Sequence, residues 1–208
     1  MTKIRSEGSN PSLTANMNKY CLNLNLGYTV DLTSTVDFFS ILAKDDKLGT
    51  FKILDSQQDQ QLLAILDSLG LTVSNVWAFW VPPKTKQLLH LDGLELDNHV
   101  KINFAVGDPK SEMKWWTPKE DFKQREQHLV KYQHRGYILQ EEDCNEVWSQ
   151  SVGQPSLVNV GHFHSVDNSQ SDTGRWAFSY VPNYKTGGVV LWEDAIQMLA
   201  KYIDTEDK

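Results

Sequence analysis

From Val73 to Pro182 the chain is a succession of short β-prone runs separated by turn residues, with no long helical period between them. This constrains the fold more than any other feature. The longest run, Val73-Ser-Asn-Val-Trp-Ala-Phe-Trp-Val81, is β-branched and aromatic and stops at Pro82-Pro83. Further strands are expected at 87–91, 101–106, 113–116, 137–139, 146–150, 156–160, 164–166 and 175–181. Short strands without intervening βα units predict a barrel or jelly roll. The expected fold class is mainly β with flanking helices.

Supporting elements surround that core. Cys21, Asn23 and Asn25 alternate with Leu22, Leu24 and Leu26, as in an edge strand. A helix is expected from Val36 to about Lys44, capped by Ser34 with Asp37 three positions on. A second starts at Asp55 or Ser56, buries Leu62, Leu63, Ile65, Leu66 and Leu69, and stops at Gly70. Thr117-Pro118 has the form of a short helix start. A last amphipathic helix, about Leu191 to Ile203, follows a turn at Gly187-Gly188 and packs through Leu191, Ile196, Leu199 and Ile203. One domain is expected: a flexible tail over 1–15, a supporting strand and helices over 16–72, the core over 73–182, and a C-terminal helix over 183–208.

Composition narrows the function classes. The net charge is −7, which argues against nucleic acid and anionic membranes as partners. Between Lys110 and Arg135, seven Lys or Arg stand against four Asp or Glu; this is read as a solvated mixed-charge segment, with a docking surface for an acidic substrate as the sharper alternative. No apolar run is long enough to span a membrane, and the N-terminal stretch lacks an apolar signal core. Cys21 and Cys144 are the only cysteines, too few for a disulfide framework, so a cytoplasmic setting is expected.

The chemistry centres on His90-Leu91-Asp92. On an extended strand, positions two apart share a face, so an imidazole and a carboxylate would project side by side while Leu89 and Leu91 pack behind. Far downstream, Asn159-Val-Gly-His162-Phe-His164-Ser-Val offers two more imidazoles at the same spacing, and either could complete a triad. Two histidines and one carboxylate with open positions suit non-haem Fe(II) and O2. On the strand from Arg175, residues Arg175, Ala177 and Ser179 share one face, and Trp176, Phe178 and Tyr180 the other. An inward arginine needs an anion, and its fork suits a carboxylate. Trp77, Trp80, Trp148, Trp176 and Trp192 are expected in the core, whereas one of Trp115 and Trp116 could line the mouth of the site.

The order His90-x-Asp92, a distal His in Asn-x-Gly-x-x-His-Ser-Val, then Arg on the next strand resembles the 2-oxoglutarate/Fe(II)-dependent oxygenases over roughly Val73 to Val181. The resemblance implies a double-stranded β-helix core, ferrous iron, O2 as reactant, and 2-oxoglutarate as a cosubstrate that leaves as succinate and CO2. It places iron on His90, Asp92 and His164, with His162 at a variable position, and the far carboxylate of 2-oxoglutarate on Arg175. Ala177 stands where the family often has a hydroxyl, so that contact is absent or is supplied from elsewhere, for example by Ser179. Asn103, sharing a face with Lys101 and Ala105, could reach cosubstrate or substrate, or be a satisfied strand residue. The spacing is nearest to the prolyl- and aspartyl/asparaginyl-hydroxylase-like branches, which implies hydroxylation of a protein or peptide side chain. The competing expectation is a cupin-type metalloprotein, an isomerase or a 2-oxoglutarate-independent dioxygenase, with His90, Asp92, His162 and His164 as four ligands.

Overall fold

The computed structural model describes residues 18–43, 47–92, 99–120, 126–129, 134–151 and 153–204, the side chains of 126–129 and 134–138 excepted. In chain order the strands are β1 (Cys21–Asn23), β2 (Gly49–Lys52), β3 (Leu71–Val81), β4 (Leu89–His90), β5 (Val100–Val106), β6 (Glu112–Pro118), β7 (Glu126–Leu129), β8 (His134–Leu139), β9 (Cys144–Ser151), β10 (Ser156–Asn159), β11 (His164–Asp167) and β12 (Arg175–Tyr184). The helices are α1 (Thr33–Ser40), α2 (Gln60–Ser68) and α3 (Trp192–Met198).

Twelve strands form two six-stranded sheets, ordered β1-β10-β5-β12-β3-β2 and β7-β8-β4-β11-β6-β9. Every pairing is antiparallel. This is the mainly β, jelly-roll class with flanking helices. Alternation along β12 explains the layering. Trp176, Phe178 and Tyr180 point outward into the largest core, where they meet Phe39 of α1, Leu62 and Leu66 of α2, and Ile196 of α3. Arg175, Ala177 and Ser179 point the other way, into the space between the sheets. That space is filled at one side by Cys21, Met113, Trp115, Val158 and Val160. The far face of the second sheet carries its own cluster of Leu89, Trp116, Leu139, Cys144 and Phe163.

Side-chain hydrogen bonds pin the outer layer. Asp59 caps α2 by accepting from Leu62 N–H at 2.8 Å. The Asp59 N–H in turn donates to the Tyr180 hydroxyl at 2.9 Å, tying the start of α2 to β12. Gly70 follows α2 at φ +77°, the left-handed conformation that ends helices cheaply with glycine.

Several expectations shift. α1 starts a turn earlier than expected, with Ser34 inside it and Leu32 at the cap without a side-chain bond; position 44 lies outside the described residues. The second helix is preceded by a separate 3-10 turn at Asp55–Gln57, because Asp59 provides the stronger cap. Thr117 and Pro118 end β6 instead of starting a helix, since β6 stays paired with β9 through Pro118 opposite Cys144. Leu191 is the cap of α3 and is exposed rather than packed. Strands β2 and β7 were not anticipated: both are short and lie at sheet edges. Both cysteines are buried, and no disulfide links them. Among the described residues, no helix is long and apolar enough to cross a membrane. The expected tail over 1–15 and the end beyond Asp204 lie outside the described residues.

Two side chains fix the end of β11 nearest Arg175. Buried Asn168 donates through Nδ2 to the carbonyls of Val81, Pro82 and Thr173 at 3.3, 2.8 and 2.9 Å. Asn168→Ala leaves these acceptors without that donor and is expected to destabilise the fold by about 1–3 kcal/mol in urea unfolding. Beside it, burial raises the Asp167 pKa, but Ser169 and Lys86 outweigh it and bring the carboxyl down to about 2. The folded value lies below the unfolded one, so the stabilisation is present above pH 4 and is lost as pH falls toward 2. The wild type should lose more stability than Asp167→Asn across that interval, as measured by urea unfolding at each pH.

Candidate metal centre and anion site

β4 and β11 are neighbours, and their register sets His90 directly opposite His164. Directly opposed residues of an antiparallel pair share a face, so both imidazoles enter the space between the sheets, with ring centroids 4.4 Å apart. Each ring is oriented by its own chain. Nδ1 of His90 lies 2.8 Å from the Leu88 carbonyl, and Nδ1 of His164 lies 2.8 Å from the His162 carbonyl. A carbonyl can only accept, so each Nδ1 carries the proton and each Nε2 keeps a lone pair when the ring is neutral. Burial, followed by the neighbouring His90, pushes the His164 pKa down to about 3, which holds that ring neutral.

Asp92 supplies the carboxylate. Its Oδ1 is 3.4 Å from His90 Nε2 and its Oδ2 is 3.9 Å from His164 Nε2. One donor atom from each of His90, Asp92 and His164 lies within 4.8 Å of the others, close enough to hold a single metal ion. The residues fit the ion that the sequence implied: two Nε2 lone pairs and one carboxylate, arranged on one side, with positions left open. β4 ends at His90, so Asp92 joins the group from a bend just beyond the strand and not from the extended strand expected. Leu89 and Leu91 pack on the opposite side as anticipated.

His162 is not in this group. Its ring meets Tyr20 edge-on, with centroids 5.3 Å apart, because residues 160–163 turn before β11 begins. The four-ligand arrangement therefore does not assemble among the described residues. The side chains of His128 and His134 lie outside the described residues. His99, at a bridge to Leu191, is not among the grouped donors, although burial first and then Lys101 lower its pKa while Asp92 raises it.

Along the inner face of the first sheet, the register places Asn103 opposite Ser179 and then Ala105 opposite Ala177, with Arg175 next on β12. The Ser179 hydroxyl donates to Asn103 Oδ1 at 2.6 Å. The small side chains of Ala105 and Ala177 stand between that pair and Arg175 along the face. The arginine is 4% exposed, and its Nε is buried without a hydrogen-bond partner among the described residues. Among the described residues it makes no ion pair. Burial draws its pKa down to about 10, and among the described residues no anion offsets that desolvation.

Two sequence expectations about aromatic residues change. Trp115 and Trp116 are both buried: Trp115 Nε1 donates to the Asn159 carbonyl and Trp116 Nε1 to Ser165 Oγ, each at 2.9 Å. Neither lines a mouth. Trp148 is 41% exposed, because β9 is an edge strand. Sequence reasoning missed one site residue. Lys101 reaches across from β5 and places Nζ 2.5 Å from Asp92 Oδ2. The signal was available: a lysine sharing an inward face with Asn103 requires an anionic partner.

No family model matches the sequence, and no curated protein matches it. Solved structures with some likeness include HygX from Streptomyces hygroscopicus with nickel and 2-oxoglutarate bound, at 12% identity over 71% of this chain and 75% of that one, TM-score 0.41. HygX with iron bound gives 13% over 79% and 82%, TM-score 0.42. Oxalate oxidase in complex with glycolate gives 9% over 88% and 68%, TM-score 0.34. At these identities and scores the likenesses carry no argument for this chain; its fold class rests on its own sheets and its centre on its own atoms.

His164→Ala is expected to abolish stoichiometric binding of Mn(II) by the full chain, whereas His162→Ala should leave it intact. Mn(II) titration followed by electron paramagnetic resonance measures both.

Proposed function

We propose that this protein is an Fe(II)- and 2-oxoglutarate-dependent dioxygenase that hydroxylates a C–H bond, with a protein or peptide side chain as substrate class. The observation that carries the reading is the buried guanidinium of Arg175, its Nε without a hydrogen-bond partner among the described residues, pointing into the space between the sheets that the two-histidine, one-carboxylate group enters from the facing sheet. A metal centre alone has no use for that cation. A dicarboxylate ligated to the metal at one end and paired with Arg175 at the other uses both.

In this reading His90 Nε2, Asp92 and His164 Nε2 would hold iron, with 2-oxoglutarate as cosubstrate and O2 as reactant. When bound, ferrous iron with 2-oxoglutarate supplies the oxidising power, because oxidative decarboxylation of the cosubstrate activates O2. The chain's own residues supply position and environment. The carbonyls of Leu88 and His162 keep the two rings in the ligating tautomer. Arg175 offers a two-pronged donor to the far carboxylate, and its burial strengthens that contact. Asn103 and Ser179 line the path between, with Ser179 as the hydroxyl that position 177 lacks. The protein or peptide substrate follows from the family resemblance of the motif spacing.

The test is anaerobic titration of 2-oxoglutarate into the Fe(II)-loaded full chain, read by the charge-transfer absorption of the chelate. Arg175→Ala should weaken 2-oxoglutarate binding roughly 10- to 100-fold, as expected for the loss of hydrogen bonds to a charged group. Arg175→Lys should fall between it and the wild type. Equal affinity in Arg175→Ala and wild type would contradict the assignment and favour a centre that works without a dicarboxylate.

A further inference from the structure

We infer that Lys101 is a positioning residue that holds Asp92 in place as a one-oxygen metal ligand. The inference rests on the metal-binding part of the reading above. Among the described residues, little else holds Asp92. The β4 ladder stops at His90, with its last pairings to Ile138 and His164, and Asp92 occupies a bend past that end. Of its three close side-chain neighbours, His90 and His164 are themselves ligands, with Nε2 atoms that a metal would claim. Among the described residues, Lys101 is the close side-chain neighbour whose ion pair with Asp92 a metal would not displace.

The two partners differ in how firmly they are held. Lys101 is set in the middle of the first sheet, where β5 lies between β10 and β12 and Lys101 itself pairs with Val158. Its Nζ lies over the Phe79 ring, 5.4 Å from the centroid. Its side chain is 15% exposed, against 28% for Asp92. The rigid partner therefore orients the loose one. Nζ ties down Oδ2 at 2.5 Å and leaves Oδ1, the oxygen beside His90 Nε2, for a metal ion. A carboxylate held this way ligates through one oxygen, and the position that a second oxygen would occupy stays free.

Charge alone predicts the opposite sign, which makes the inference testable by direction. An ammonium beside a ligand repels a divalent ion, so a neutral residue at 101 would tighten binding if repulsion were all that mattered. Positioning predicts weaker binding, because partners that orient a metal ligand are typically worth about 10–100-fold in affinity. The experiment is Mn(II) titration of the full chain by electron paramagnetic resonance, comparing wild type, Lys101→Met and Lys101→Gln, with urea unfolding to confirm that each variant folds. Lys101→Met should bind Mn(II) about 10–100-fold more weakly. Lys101→Gln, which keeps an N–H donor without charge, should lie between it and the wild type, and it decides the question if the Met variant does not fold. Binding equal to or tighter than wild type in the folded neutral variants would overturn the inference while leaving the metal centre standing. Failure of the wild type to bind Mn(II) would remove the metal centre and this inference together.

Discussion

Arg175 sets the terms for the rest of the molecule. Taking a guanidinium out of water costs several kcal/mol unless an anion meets it, and among the described residues none does. The cost is tolerated because β12 is held on both sides, by β3 and β5, and is covered outside by three helices. A strand so supported can carry an unfavourable residue into the interior. The inner face of the same sheet carries Lys101 toward Asp92. Among the described residues, that lysine has a carboxylate partner and Arg175 has none.

The two ends of that space are built by different means. At the metal end, antiparallel register does the work: β4 and β11 bring two imidazoles face to face, and backbone carbonyls select the tautomer of each. At the arginine end, Asn168 ties the turn after β11 to the carbonyls at the end of β3, next to the residue paired with Arg175.

Much of this was legible in the chain. Period-two alternation assigned both faces of β12 correctly, since Trp176 and Phe178 alternate with Arg175 and Ala177 without exception. His90 and His164 could be nominated from their neighbours. What could not be read were features decided by tertiary pairing. Asp92 meets the imidazoles from a bend, because β4 has only two paired residues. Trp148 is exposed because its strand lies at a sheet edge, which apolar pattern does not reveal. Pro118 stays in β6 because its carbonyl and side chain suit an extended end as well as a helix start. Lys101 was passed over because its partner lies on the other sheet, and only the facing of the two sheets brings it to Asp92.

The most direct measurement is a crystal structure of the full chain grown with Mn(II) and 2-oxoglutarate. The account predicts one ion held by His90 Nε2, Asp92 and His164 Nε2, and a dicarboxylate whose far end lies against the Arg175 guanidinium. An ion bound elsewhere, or an Arg175 still without a carboxylate beside an occupied centre, would contradict it.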